Sequence, residues 1–200
     1  DGFSKFRVLN RFDLDEQYGG ITSIIDFGDD GLHSIQETKV RFDPVGRDIA
    51  ETADGNALVL GADAVIGKGG YYLGYDNGSK HMRTIKKHNG VCFFIDEKKK
   101  EVCMFGSRGS AFNIISNKDA ITFFNKFLKD RIQEHNLIGI IDPDINSNDY
   151  WVINNQTNEA IIYSLSLDRW MSEIDFPRIY NGTYAGKSLY LLGNNVHKAY

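Results

Sequence analysis

The sequence contains little proline and cysteine and no long apolar run. Its 200 residues include 3 prolines and 2 cysteines, against 20 glycines. Two cysteines cannot supply the four ligands of a structural zinc site. Because a membrane-spanning helix needs a run of about 18 or more apolar residues, we expect no membrane insertion. The many glycines instead favour a chain with frequent turns.

The chain also lacks a surplus of basic residues. It has 23 Lys and Arg against 27 Asp and Glu, which gives a formal net charge of −4. A protein that binds nucleic acid by neutralising phosphates needs clustered Lys and Arg, so we expect no specific DNA binding. The one basic run, Lys98–Lys100, lies between Glu97 and Glu101, as is typical of a solvated hairpin tip.

Apolar, alternating segments recur along the chain, each after a turn rich in Gly, Asn or similar small polar residues. Such residues tolerate the positive φ that tight hairpins require. The recurring segments are Leu32–Glu37, Val91–Asp96, Asp149–Asn154 and Ser188–Gly193. A second short strand follows each of them across a polar connection, at Thr38–Asp43, Glu101–Gly106, Glu159–Ser164 and His197–Tyr200.

Another β-rich run precedes each recurring segment. These runs are Ile21–Phe27, Met82–Lys87, Leu137–Asp142 and Ile179–Tyr184, and a fourth strand, Trp170–Phe176, completes the third copy. Three or four short antiparallel strands, repeated with polar turns, are typical of propeller blades. We therefore predict a mainly all-β fold of antiparallel, propeller-like blades that pack face to face, since a small sheet must bury its apolar faces against neighbours.

Two longer segments interrupt the repeats. Residues 46–70 are rich in Gly and Ala with weak periodicity, and we interpret them as a long excursion. Residues 116–134 carry apolar side chains at helical spacing, and Ser116 or Asn117 can cap the helix. We predict one amphipathic helix there, with its Phe-rich face docked on the same chain. The whole of residues 1–200 is then a single propeller-like domain, or part of one in a longer parent protein.

The candidate metal ligands are oxygen side chains at alternate positions. Asp142, Asp144 and Asn146 resemble the first half of a calcium loop, although the Gly and the final Glu of that motif are missing. A hairpin turn explains the same residues. Cys92 and Cys103 lie in apolar strand-like runs, where they are either buried thiols or partners in a cross-strand disulfide. No pattern in the sequence indicates a cofactor.

Aromatic and acidic side chains give two further candidate sites. Trp151 and Trp170 can stack on sugar rings, although aromatic residues in blades are more often packing residues. Carboxylates at strand ends can meet at a channel mouth, as in propeller hydrolases, and the candidates are Asp26, Glu37, Asp96 and Asp142. Structural carboxylates have the same pattern, and no nucleophile or phosphate-binding motif is present. We therefore predict that the protein is not an enzyme.

Several segments together resemble the muzzle-type tail proteins of crAss-like, short-tailed bacteriophages. Those segments are KFRVLNRFDLDEQYGGITSIIDFGDDGLHSIQETKVRF, ADGNALVLGADAVIG, KHMRTIKKHNGVCFFIDEKKKEVCMFGSRG and IIYSLSLDRWMSEIDF. Each motif is weak, and their order over residues 5–200 is the specific feature. The chain departs from the family pattern at Met82 and Arg83, where Trp and Ser are common.

The resemblance implies a structural protein of the virion tail, positioned around the DNA exit channel. Its expected partners are copies of itself and other tail proteins, such as the tail hub and fibres, and phage DNA passes by without specific binding. The family brings no catalytic residues. Two alternatives remain open at this point: a propeller that binds host surfaces or glycans, and a propeller glycosidase.

Overall fold

A computed structural model describes residues 13–28, 31–52, 54, 57–129, 132–133, 135–142, 148–175, 178–185, 188–193 and 196–199. The chain forms two compact units. The first comprises the described residues up to Gly78 together with Gly106–Ser110, and the second comprises Ser79–Phe105 and the described residues from Ala111 onward. The units are considered one at a time below.

The first unit contains a four-stranded antiparallel sheet, which we name sheet 1. Its strands pair in the order β1-β2-β3-β6. They are β1 (Ile21–Asp26), β2 (Leu32–Gln36), β3 (Val40–Asp43) and β6 (Tyr71–Tyr72). Ile35, Val40 and Phe42 are fully buried in this unit. Because side chains alternate between the two faces of a strand, these apolar residues form a core on one face of the sheet.

A two-stranded hairpin lies between the third and fourth strands of sheet 1. It pairs β4 (Val45–Glu51) with β5 (Ala57–Ile66) in antiparallel register, with Ile49 opposite Val59. The Gly- and Ala-rich stretch at residues 46–70, interpreted above as an excursion, therefore contains regular secondary structure. Its alternation is weak because apolar residues occupy both faces of β5.

The second unit contains three antiparallel sheets. Sheet 2 has the strand order β7-β8-β9-β10, sheet 3 has β11-β12-β13-β14 and sheet 4 has β15-β16-β17. The strands are β7 (Lys86–His88), β8 (Val91–Asp96), β9 (Glu101–Gly106), β10 (Asn113–Ile114), β11 (Leu137–Asp142), β12 (Asp149–Asn154), β13 (Glu159–Ser164), β14 (Arg169–Asp175), β15 (Asn181–Ala185), β16 (Ser188–Leu192) and β17 (Val196–Ala199).

The turns follow the chemistry that the sequence predicts. Asn89 and Gly90, between β7 and β8, both have positive φ, at 47° and 72°, as a two-residue type I′ hairpin requires. Four-residue turns join β8 to β9, β12 to β13 and β13 to β14, and the last residue of each has positive φ. Those residues are Lys100, Asn158 and Asp168.

Sheet 3 buries both of its faces, each in a different core. One face contributes Leu137, Tyr150 and Val152 to a core shared with sheet 2. The other face contributes Ile138 and Ile153 to a core shared with sheet 4. Since successive residues of a strand point to opposite faces, the nearly continuous apolar sequence of β11 and β12 is explained.

The first strand of sheet 3 lies near the first strands of sheets 2 and 4, because β11 contacts both β7 and β15. The mainly β, antiparallel fold is confirmed by these sheets. A propeller closed around an axis stays a prediction.

The helix is shorter than predicted and begins at a different residue. It spans Ile121–Phe127, and its N-terminal cap is Ala120 with no side-chain hydrogen bond. Asp119 has a φ of 60°, a left-handed conformation that cannot continue an α-helix. Ser116 instead accepts a hydrogen bond at Oγ from the backbone N–H of Val102. The docking of the Phe-rich face is confirmed, since Phe124 and Phe127 are buried in the core of sheets 2 and 3.

Candidate functional site

The predicted metal ligands fall partly outside the described residues. Asp142 is the last residue of β11 and lies opposite Asp149 in the register of β11 and β12. Asp144 and Asn146 are not among the described residues. Within the part of the chain that the structure describes, no three His, Cys, Asp or Glu side chains are grouped as metal ligands. Metal binding at Asp142, Asp144 and Asn146 therefore stays a prediction.

The two candidate stacking residues lie on opposite faces of sheet 3. Trp151 packs on the core shared with sheet 4. Trp170 packs on the core shared with sheet 2, where its ring contacts Phe124 and Tyr163 with centroids 4.8 and 5.1 Å away. Its Nε1 donates a hydrogen bond of 2.8 Å to the carbonyl of Ile115. The structure does not bring the two rings to one surface where a sugar could stack on both.

Two of the four candidate carboxylates lie in the first unit and two in the second. In sheet 1, Asp26 pairs with Leu32 at one end of β2, whereas Glu37 follows the other end. Asp26 accepts a 2.6 Å hydrogen bond from the N–H of Gly28, which is a turn-forming contact.

The two carboxylates of the second unit belong to different sheets. Asp96 ends β8, is 4% exposed and accepts a hydrogen bond of 3.1 Å from the N–H of Lys99. Asp142 ends β11. A retaining or inverting glycosidase needs two carboxyl groups flanking one bond. The hydrogen bond that Asp96 accepts from Lys99 instead stabilises a turn.

Cys92 and Cys103 are buried free thiols. Burial raises the pKa of both, and at Cys103 the nearby carboxylates Asp96 and Glu101 raise it further. A thiol held in its neutral form is a poor nucleophile and metal ligand. Of the two alternatives, buried thiols or a cross-strand disulfide, the structure contains the buried thiols.

Buried polar side chains connect the sheets of the second unit. The hydroxyl of Tyr150 donates a 2.7 Å hydrogen bond to the carbonyl of Thr84. Asn155 donates from Nδ2 to the carbonyl of Ile179 and accepts at Oδ1 from the N–H of the same residue, at 2.5 and 3.0 Å. Because a buried polar group left without a partner costs about 1–3 kcal/mol, these contacts fix how neighbouring segments meet.

A charged contact of the same kind links the turn after β8 to the segment after the helix. Glu97 accepts a 2.7 Å hydrogen bond from the N–H of Ile132 at Oε1 and contacts Nε2 of the buried His81 at 3.0 Å through Oε2. Glu97 follows β8 as Asn155 follows β12. The residue after the second strand thus has a connecting role in both sheet 2 and sheet 3.

An exposed ion pair joins the segment before the helix to the turn between β13 and β14. Both carboxylate oxygens of Asp168 lie 2.5 Å from Nζ of Lys118. The hydroxyl of Tyr163 donates a hydrogen bond to Asp168 as well. The hydrogen bonds from Lys118 and then Tyr163 lower the pKa of Asp168. Since Asp168 is largely exposed, we regard the pair as a weak contribution to stability.

Sequence reasoning missed one surface, formed by exposed apolar residues of the β4–β5 hairpin. Leu58, Val59 and Leu60 are 46%, 49% and 50% exposed. The available signal was the composition of β5, which has a single charged residue, Asp63, among ten. Such low charge is typical of segments that become buried against another chain.

Comparisons with known proteins agree with the resemblance noted from the motifs. The family model described as Crassvirus muzzle protein matches residues 1–195. No curated protein matches the chain. In the described residues, no helix is long and apolar enough to span a bilayer.

Proposed function

The chain belongs to the Crassvirus muzzle protein family, and from that premise we propose that it forms part of the wall around the DNA exit channel of a phage tail. Membership makes it a structural component of the virion tail. The proposal adds its place at the channel and a mode of action through contacts between subunits. Its partners are then copies of itself and other tail proteins, such as the hub and fibres.

The observation that carries the proposal is the family match over nearly the whole chain. The contacts of several candidate residues support it, because these aromatic and acidic side chains are engaged in packing and turns. Trp170, Asp96 and Asp26 each have such a contact. We accordingly propose a role without catalysis, in which the protein acts through its surfaces.

Labelling of intact virions tests this proposal. An antibody fragment against the chain, bound to purified phage and imaged by electron cryomicroscopy, is expected to mark the distal part of the tail along its axis. The matched control is a fragment against the major capsid protein, which should mark the head alone. Labelling confined to the head or the fibres, or absence of the chain from purified virions, would contradict the proposal.

A further inference from the structure

The first strand of sheet 2 carries a partly buried lysine without a counter-ion. Lys86 is the first residue of β7, and its side chain is only partly accessible to water. Among the described residues, no carboxylate forms an ion pair with it. Taking a cation out of water without an opposite charge costs free energy, and burial accordingly lowers the pKa of Lys86. The charge of this ammonium group is therefore uncompensated.

A second cation lies close to the first. The positive charge of Arg83 also lowers the pKa of Lys86, so the two groups are near enough to repel each other. Arg83 belongs to the 3-10 turn Met82–Thr84 and is exposed. Its Nη1 donates a hydrogen bond of 3.4 Å to the carbonyl of Tyr180. Since a guanidinium group has five N–H donors, Arg83 can also bind an acceptor from outside the chain.

The segment before sheet 4 adds a third cation. Arg178 is exposed, and its guanidinium group lies 5.8 Å from the ring centroid of Tyr180, the residue that Arg83 contacts. We name Arg83, Lys86 and Arg178 the basic cluster. Because the chain as a whole has a net charge of −4, this cluster is a local excess of positive charge that favours an anionic partner.

Exposed apolar side chains adjoin the basic cluster. Met82 precedes Arg83, and the N–H of Tyr180 donates a 2.6 Å hydrogen bond to the carbonyl of Leu192. The side chains of Met82, Tyr180 and Leu192 are all exposed. Met, Tyr and Arg are enriched in interfaces between proteins, whereas interfaces with DNA are more polar. The composition of this surface therefore favours a protein carboxylate over a DNA phosphate as the anion.

We infer that the basic cluster binds a carboxylate of a neighbouring tail subunit, an Asp or Glu side chain flanked by apolar residues. The inference names the chemistry of one partner and rests on the proposed function. The carboxylate supplies the counter-ion that Lys86 lacks, and the guanidinium group of Arg83 can bind it through two parallel hydrogen bonds. Because such a contact joins two different surfaces, it can repeat around a ring of subunits.

Carbodiimide treatment of purified virions tests this contact, because the reagent joins an amine to a touching carboxylate through an amide bond. Mass spectrometry of the digested virions is expected to find Lys86 linked to an Asp or Glu of another tail subunit. Lys87 is the internal control, since its exposed side chain points to the opposite face of β7. Virions in which Lys86 has no link to a carboxylate, or in which formaldehyde links it to DNA, would overturn the inference.

Two matched variants separate a contact with a partner from a role in folding. Lys86→Met and Lys87→Met each remove one positive charge from β7. Since Lys86 has no counter-ion within the described part of the chain, Lys86→Met should leave the urea midpoint of the free chain unchanged or higher. It should lower the amount of the chain in purified virions by about tenfold or more, and Lys87→Met should not. A chain that Lys86→Met destabilises, or that is incorporated normally with it, would contradict the inference.

Failure of this inference can be told apart from failure of the proposed function. Labelling of the tail by the antibody fragment, without a link at Lys86, would refute the acidic partner alone. A link from Lys86 to a protein of the head, without labelling of the tail, would refute the proposed function.

Discussion

The left-handed residues at the ends of the four-residue turns differ in how well they suit that conformation. Asn158 and Asp168 are of the residue types that tolerate positive φ through local hydrogen bonds. Lys100 occupies the same place in the turn after β8, with a φ of 60°. A Lys side chain makes no local hydrogen bond that favours this conformation. The turn of sheet 2 therefore carries more backbone strain than the turns of sheet 3.

Replacing Lys100 by Asn should relieve part of that strain. We expect Lys100→Asn to raise the free energy of unfolding by about 0.5–1 kcal/mol, measured by urea denaturation. Lys99→Asn removes the same charge from the same turn and should produce no comparable gain. A loss of stability in Lys100→Asn would show that the lysine side chain makes a contribution larger than the strain.

The buried thiols should be inert while the protein is folded. Burial raises the pKa of Cys92 and Cys103 above the ordinary value of 9.0, so the reactive thiolate is scarce at neutral pH. We expect iodoacetamide to label both residues in denaturant and neither in buffer, as read by mass spectrometry. Because the pKa of each thiol is higher in the folded chain than in the unfolded chain, the free energy of unfolding should fall as the pH rises above about 9. Rapid labelling of the folded chain would contradict the burial of the thiols.

At the scale of elements, β11 approaches its neighbour closely because it contains a glycine. A Cβ at Gly139 would lie 2.7 Å from the carbonyl oxygen of Thr84 and 2.8 Å from the hydroxyl of Tyr150. The short 3-10 turn Met82–Thr84 therefore rests on the backbone of β11. Gly139 is the residue that lets sheet 3 meet the start of sheet 2.

A methyl group at this contact should be costly. We expect Gly139→Ala to lower the free energy of unfolding by about 1–3 kcal/mol, because backbone on one side and a buried ring on the other cannot easily move. Gly74→Ala is the control, since nothing lies within 4 Å of the added Cβ there. Equal effects in the two variants, measured by urea denaturation, would contradict the close approach.

The elements that the sequence predicted best are those in which turn chemistry and alternation agree. The bounds of Val91–Asp96 and Asp149–Asn154 match the structure in full. The two-residue strands Tyr71–Tyr72 and Asn113–Ile114 were missed, because a strand that short has no period to detect. The helix was overextended because periodicity reports which residues face a core and not where backbone dihedrals leave the helical region, as at Asp119.

For the whole molecule, composition was informative about which classes of function the residues do not favour. It was less informative about which surfaces make contact. Strand pairing decides which of its apolar residues stay exposed. Periodicity does not show which segments pair with one another. The strand β5 is such a case, since its ten residues fit a buried strand and an exposed strand equally well, and within the described part of the chain only β4 pairs with it. The hydrogen bond from the N–H of Ile49 to the carbonyl of Lys68 shows that the chain itself covers the β4 side of the hairpin.

The net charge of −4 leads to an expectation for the intact chain. Fluorescence anisotropy with a labelled DNA duplex at physiological salt should show no specific binding, because the chain has no surplus of lysines and arginines to neutralise phosphates. Changing Lys98, Lys99 and Lys100 together to Gln should leave the result unaltered. Tight binding that this triple variant abolishes would contradict a passive role beside DNA.

The two cores on either side of sheet 3 have a consequence for how the sequence can change over time. Tyr150 stacks on Phe93 of sheet 2 with ring centroids 4.7 Å apart, whereas its chain neighbour Trp151 packs on the core shared with sheet 4. We therefore expect a substitution at Tyr150 to be compensated at Phe93 and not at Trp151. In an alignment of relatives, alternate residues of β12 should co-vary with different partners. One set should co-vary with positions in sheet 2, and the other set with positions in sheet 4.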